Sequence, residues 1–71
     1  MTRVNDARDL GALIAEERKR QHMTQGELAG LSGVGITFIS KLENGKSTSE
    51  LGKVLDVVAT LGLNVYVEER D

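Results

Sequence analysis

The sequence predicts an all-α domain of four helices followed by one short β-strand. Apolar side chains recur every three or four residues in successive segments, and residues that cap helices stand at the ends of these segments. Near the C-terminus the pattern changes to an alternation of apolar and polar residues, which indicates a strand. The 71 residues, of which 39% are apolar, are predicted to form a single domain, residues 1–71.

The first helix is predicted over residues 5–21, and either Asn5 or Asp6 can cap its start. Four apolar side chains share one of its faces: Ala7, Leu10, Leu13 and Ile14. Gly11 costs this helix about 1 kcal/mol relative to alanine, and a close backbone contact would explain its presence. The basic residues 18–20 suit the negative end of the helix dipole and are interpreted as solvated, with phosphate contact as the alternative.

The central stretch, residues 24–44, has the residue spacing of two short helices joined by a tight turn. Ala29 is small enough to let the second helix cross close over the first, and Gly33 can adopt the positive φ of such a turn. Ile39 and Leu42 then point back into the joint between the helices. This stretch is therefore predicted to be a helix-turn-helix.

Local signals mark both ends of this motif. Thr24 and Glu27 form a capping box, in which each side chain bonds a backbone amide of the other residue, and this starts the first of the two helices. Asn44 and Gly45 supply a C-terminal cap. The second helix is therefore expected from Gly35 to Glu43.

A fourth helix is predicted over residues 49–61, with Thr48 or Ser49 as its cap. Five of its apolar residues recur at helical spacing and are predicted to face the core: Leu51, Val54, Leu55, Val58 and Leu61. Val57 and Ala59 widen the apolar surface, as expected if a second face of the helix is also buried.

The last element is a strand predicted over residues 63–68. A single strand leaves its backbone donors and acceptors unpaired, so the expected partner is the same strand of a second copy in a homodimer. The residues expected to form this contact are Leu63, Val65, Tyr66 and Val67. The alternative is an irregular tail packed on its own domain.

Composition excludes several classes of function. The chain has no cysteine and one histidine, His22, which has no potential metal ligand beside it, so we expect neither a metal site nor a cofactor. No nucleophile has a matched base and no paired carboxylate site is evident, so no catalytic residue is assigned and an enzyme is not expected. No apolar run reaches the length of a membrane span and no signal peptide is evident, which favours a cytoplasmic protein.

Charge is distributed unevenly along the chain, whose formal net charge is −2. Residues 1–46 carry seven Lys or Arg against six Asp or Glu, a net of +1, whereas residues 47–71 carry two against five, a net of −3. The acidic excess therefore lies outside the helix-turn-helix, and binding to DNA remains compatible with the composition.

The outer face of the second motif helix carries the candidate base-reading residues. If Ile39 and Leu42 point inwards, a rotation of roughly 100° per residue places five residues on the opposite face. These are Gly35, Ile36, Thr37, Ser40 and Lys41. Isoleucine can pack on a thymine methyl group, hydroxyl groups can bond a base or a phosphate, and lysine can reach guanine. The alternative for Ile36 is that it closes the turn between the helices.

Three polar residues next to this helix are candidates for phosphate contacts. Gln25 stands at a helix N-terminus, where backbone amides and the positive end of the helix dipole attract an anion. Asn44 and Lys46 follow the second motif helix and can bind the backbone of the DNA there. Phe38 is expected to pack at the edge of the core, with insertion between bases as the alternative.

The segment TQGELAGLSGVGITFISKLENGK resembles the helix-turn-helix family of the lambdoid phage Cro and C repressors, the Xre-type regulators. The resemblance implies a lambda-repressor-like domain. It also implies that Gln25 contacts a phosphate, that Ile36, Thr37 and Lys41 read bases, and that Asn44 contacts the DNA backbone. Many relatives have glutamine at position 36 or 37 and this chain does not, so the resemblance does not identify the bases.

The segment from Glu50 to Val67 is similar to the C-terminal part of HipB-like antitoxins. That resemblance implies a homodimer that represses its own operon on double-stranded operator DNA and neutralises a HipA-like kinase toxin. Its two recognition helices are expected about 34 Å apart, one turn of DNA. The alternatives are a stand-alone Xre-type transcriptional regulator and a protein-interaction module that no longer binds DNA.

Overall fold

The computed structural model describes residues 1–70 and consists of four α-helices, which confirms the all-α helix-turn-helix fold. The helices are α1 (Ala7–Arg20), α2 (Gln25–Ser32), α3 (Ile36–Glu43) and α4 (Leu51–Thr60). α3 packs between α1 and α2, and α4 packs against α2. None of the helices within residues 1–70 has the length and apolar character needed to cross a lipid bilayer.

Each helix contributes one completely buried side chain to a common core: Ile14, Leu28, Ile39 and Val57. Five further buried residues surround them: Ala29, Leu42, Val54, Val58 and Leu61. Phe38 is half-buried and packs against this core, as expected. The orientation of α3 is therefore fixed mainly by its packing against α1 and α2.

The N-terminal caps are partly as predicted. Asp6 caps α1 by accepting a hydrogen bond from the Asp9 N–H, with an N–O distance of 2.8 Å. The prediction for α4 is wrong, because its N-cap is Glu50 and no side chain bonds the helix there. Thr48 accepts a hydrogen bond from the Glu50 N–H, at 3.0 Å, and so orders the residue before the helix rather than the helix itself.

The buried face of α4 also differs from the prediction. Helical spacing predicts Leu51 and Leu55 in the core, but 64% and 44% of their surfaces are exposed. Val57 is completely buried in their place. The sequence offers two overlapping apolar faces, and the face with three valines and Leu61 is the one that packs on α2. The apolar surface left outside is a candidate for contact with another molecule.

The predicted C-terminal strand is not confirmed by the single chain. Residues 63–70 have no regular secondary structure. Leu63 packs against the core, whereas Val65, Tyr66 and Val67 are 58%, 70% and 96% exposed. A strand needs a neighbouring strand to complete its hydrogen bonds, so pairing with a second copy stays a prediction.

Candidate nucleic-acid interface

The start of α2 is built as predicted. The Thr24 side chain accepts a hydrogen bond from the Glu27 N–H, at 3.0 Å, and the Glu27 carboxylate accepts one from the Thr24 N–H, at 2.9 Å. The backbone and side-chain hydrogen bonds of Thr24 hold the pKa of Glu27 below its ordinary value. This box leaves the N–H groups of Gln25 and Gly26, the first two of the helix, without an intrahelical acceptor and therefore free for an anion.

The turn between α2 and α3 sets the direction of the second helix. Gly33 has a φ of 73°, the left-handed conformation that the sequence predicts for it. Gly35 is the N-cap of α3, which begins at Ile36, and it is exposed. This short connection holds the start of α3 beside the start of α2.

The outer face of α3 is open to solvent. Ile39 and Leu42 are 0% and 4% exposed, so they fix the inward side of the helix. Ile36, Thr37 and Lys41 are exposed on the other side, and Ser40 is half-buried. Ile36 is 55% exposed. Its Cδ1 atom nevertheless lies close to α2, since it would be 3.7 Å from a Cβ atom added to Gly26. Ile36 thus borders the turn and still presents an apolar surface to a ligand.

The two residues predicted to bind phosphate after α3 lie at a reversal of the chain. Asn44 is the C-cap, and its side-chain amide donates a hydrogen bond to the Ser40 carbonyl oxygen at 2.9 Å. The backbone N–H of Lys46 bonds the Lys41 carbonyl oxygen at 3.0 Å. Both side chains are exposed. Their backbone is therefore fixed, while the Lys46 ammonium and the second N–H of the Asn44 side-chain amide can still donate to a phosphate.

An open groove of about 520 Å³ lies between α3 and the start of α4 and adds a residue that sequence reasoning missed. The groove is lined by three lysines, Lys41, Lys46 and Lys53, together with Glu50. Lys53 bonds Glu50 at 3.0 Å, and its ammonium lies 5.7 Å from the centre of the Phe38 ring. The short link between α3 and α4 was the available signal, because it keeps the start of α4 beside α3.

The prediction that the basic residues 18–20 are solvated or bind phosphate is wrong for Arg18. Its side chain is only 10% exposed, and its Nε and Nη2 atoms lie 2.7 and 3.0 Å from the two carboxylate oxygens of Glu43. Its Nη1 donates to the Met23 carbonyl oxygen at 2.8 Å. The hydrogen bonds to Glu43 raise the pKa of Arg18 further. Arg18 lies four residues after Ile14, on the buried face of α1, which was the signal for its position.

Glu43 also contacts the start of α2. Its Oε1 atom accepts a hydrogen bond from the Gln25 side-chain amide at 3.0 Å. Burial by itself raises the pKa of Glu43, but the hydrogen bonds from Arg18 and Gln25 outweigh burial and hold the pKa below its ordinary value. Glu43 is therefore an ionised carboxylate that joins the ends of three helices.

Solved structures share this fold over the whole chain. The chain is similar to the protein in a structure described as "HipB(S29A)-O2 20mer complex", with a TM-score of 0.87, 21% identity, and coverage of 100% of this chain and 99% of that one. A structure described as "Structure of HipA-HipB-O2-O3 complex" matches with a TM-score of 0.88, 21% identity, and complete coverage of both chains. At this level of identity the likeness establishes the fold.

Sequence comparisons establish the family. A family model described as helix-turn-helix matches residues 14–66. The chain is 49% identical over 65 residues to the uncharacterized HTH-type transcriptional regulator y4mF of Sinorhizobium fredii, covering 92% of this chain and 86% of that protein. It is 40% identical over 63 residues to the ImmF control region 10 kDa protein of Bacillus phage phi105, covering 84% and 69%. The chain belongs to the helix-turn-helix family of DNA-binding transcriptional regulators, which is not a class of enzymes.

Proposed function

We propose that this protein is a sequence-specific repressor that places α3 in the major groove of its operator. The observation that carries the proposal is the opposition of the two faces of α3, with Ile39 and Leu42 buried and Ile36, Thr37 and Lys41 exposed. An eight-residue helix is about 12 Å long, a length that fits a major groove about 12 Å wide. Its short polar and apolar side chains would then meet base edges.

Phosphate contacts would flank this helix on both sides. Gln25 and the free N–H groups at the start of α2 would hold one strand of the DNA. Asn44, Lys46 and Lys53, after the end of α3, would hold the other strand. The two groups come from the first and last residues of the helix-turn-helix, and together they would fix the register of α3 in the groove. Gly35 and Ser40 would lie close to the bases beside the exposed residues of α3.

The proposed repressor acts as a homodimer on a palindromic operator. The small core of a 71-residue chain favours association, and the exposed Leu51 and Leu55 add apolar surface that a second copy would cover. Pairing of residues 63–68 from two copies would satisfy their backbone groups. The two copies of α3 would then lie about 34 Å apart, and the protein would act in the cytoplasm with its operator.

The proposed physiological role is that of a HipB-like antitoxin. Two solved structures with this fold contain HipB, and one of them is described as a complex that also contains HipA. We propose by analogy that the protein represses its own operon and neutralises a HipA-like kinase toxin. A stand-alone regulator is the second candidate, and the 49% identity to a protein named only as a transcriptional regulator favours it. Co-purification of a kinase with the tagged protein distinguishes the two.

Selection of genomic DNA fragments by the purified protein, followed by titration of the selected operator, tests the proposal. Lys41→Ala and Gln25→Ala should both weaken binding. The slope of log affinity against log salt should fall by about one only where the lost contact joins a lysine to a phosphate, because glutamine carries no charge. Lys53→Ala should lower the slope similarly, whereas Lys53→Arg retains the charge and should leave it unchanged. Unchanged affinity in the Lys41 and Gln25 variants would remove the assignment of the interface, and failure to select any DNA would favour the protein-interaction module.

A further inference from the structure

We infer that Glu43 is a positioning residue that holds the Gln25 amide in the orientation in which it meets a DNA phosphate. The inference rests on the proposed function, because it concerns how the repressor prepares one of its phosphate contacts. Glu43 is the last residue of α3 and Gln25 is the first residue of α2, and the hydrogen bond between their side chains is 3.0 Å long.

The chemistry of this bond fixes which way the amide points. An ionised carboxylate can only accept hydrogen bonds, so Gln25 must turn its Nε2 atom toward Glu43. Its second N–H is then left for another acceptor, on the residue that begins α2, where the first backbone N–H groups of the helix have no intrahelical acceptor. A phosphate at this helix end would receive hydrogen bonds from both the backbone and the oriented side chain.

Glu43 is itself held firmly enough to orient another residue. Only 6% of its side chain is exposed, and Arg18 donates hydrogen bonds to both of its carboxylate oxygens. The anchor for Gln25 is therefore a buried ion pair that belongs to the core. Since Gln25 is already restrained before DNA binds, less side-chain entropy is lost in the complex, and the expected gain in affinity is about fivefold.

The competing explanation is that Glu43 serves only as the partner of Arg18. Replacing both residues by leucine separates the explanations, because an apolar pair of similar volume commonly preserves the fold of a domain that contained a buried ion pair. The variant Arg18→Leu/Glu43→Leu keeps a packed core and leaves the Gln25 amide without its anchor. Thermal unfolding of this variant checks that the core is retained.

The functional test measures operator affinity for Gln25→Ala in two backgrounds. In the native background the substitution should weaken binding about tenfold, and in the double-leucine background by about twofold or less. An equal effect in both backgrounds overturns the inference. If Gln25→Ala has no effect in either, the inference also fails, although binding of DNA by the native protein would leave the proposed function standing.

A second test needs no variant to fold. Relaxation of the side-chain amide ¹⁵N nuclei in the free native protein should show that Gln25 is restrained, in contrast to the exposed Asn64. An order parameter for the Gln25 amide as low as that of Asn64 overturns the inference, whatever the affinities show.

Discussion

Arg18 and Glu43 form a two-point ion pair that joins α1 to the end of α3, with N–O distances of 2.7 and 3.0 Å. The side chains are 10% and 6% exposed, so both charges lie almost entirely out of water. Replacing such a pair by apolar residues is often neutral, but removing one partner leaves a buried charge without compensation. The pair therefore makes the core sensitive to single substitutions at either position.

Arg18→Leu should lower the free energy of unfolding by about 3 to 5 kcal/mol, because Glu43 is left buried without its partner. Adding Glu43→Leu should recover most of that loss. Arg20→Leu is the matched control, since Arg20 pairs with Glu17 on the surface and 73% of its side chain is exposed, so its removal should change the free energy of unfolding far less than Arg18→Leu does. Urea denaturation at neutral pH measures all three, and a loss at Arg18 no larger than that at Arg20 would contradict the assigned role.

The stability of the protein should fall in acid, partly through Glu43. Its pKa in the folded state is held below the ordinary value, so near pH 4 the unfolded chain binds more protons than the folded one. The contribution of Glu43 is therefore complete above its unfolded pKa and is lost as the pH falls through its lower, folded pKa.

Urea denaturation at pH values from 7 to 3 measures this effect. The double-leucine variant lacks the carboxylate and should lose less free energy of unfolding over the acid range than the native protein does. Some acid dependence should remain, because hydrogen bonds also lower the pKa values of Glu17 and Glu27. Identical pH profiles for the two proteins would show that the Arg18–Glu43 contact does not favour the ionised carboxylate.

Gly11→Ala should destabilise the protein, although alanine is the better helix former. A Cβ atom at Gly11 would overlap the Leu42 carbonyl oxygen and lie 3.0 Å from the Glu43 carbonyl oxygen, both of which belong to the backbone of α3. Separating α1 from α3 should cost about 2 kcal/mol or more. Gly30→Ala is the control, because its Cβ would meet nothing within 4 Å, and it should stabilise the protein by about 0.5 to 1 kcal/mol. Two thermal unfolding curves that shift in opposite directions are the expected result.

The parts of the fold that could be predicted have causes within a few residues of one another. The cap of α2 depends on Thr24 and Glu27, three residues apart, and the turn depends on the positive φ of Gly33. The outer face of α3 follows from the burial of Ile39 and Leu42, since two inward positions fix the rotation of a short helix. Gly11 is a similar case, because glycine inside a helix lowers its stability and therefore needs an explanation. The close contact predicted as that explanation is confirmed by the backbone of α3.

The parts that could not be predicted depend on which elements meet. Arg18 has its partner 25 residues away, so its position on the same face as Ile14 could indicate burial but could not identify Glu43 as the partner. The short link indicates that the start of α4 lies near α3, but which residue of α4 faces the groove depends on how α4 packs. The buried face of α4 could not be chosen from the sequence, because a face with Leu51 and a face with Val57 both satisfy helical spacing. Contact with α2 buries the face with Val57.

Val65→Pro should convert the predicted homodimer into a monomer. Proline cannot donate a hydrogen bond to a neighbouring strand, so it should interrupt the pairing proposed for residues 63–68 of two copies. The substitution should leave the fold of a single chain intact, because Val65 is 58% exposed and belongs to no helix. Val65→Thr keeps a β-branched side chain and the N–H donor, so this control should remain dimeric. Sedimentation equilibrium at micromolar concentration gives the mass directly, and a proline variant that stays dimeric would overturn the predicted strand pairing.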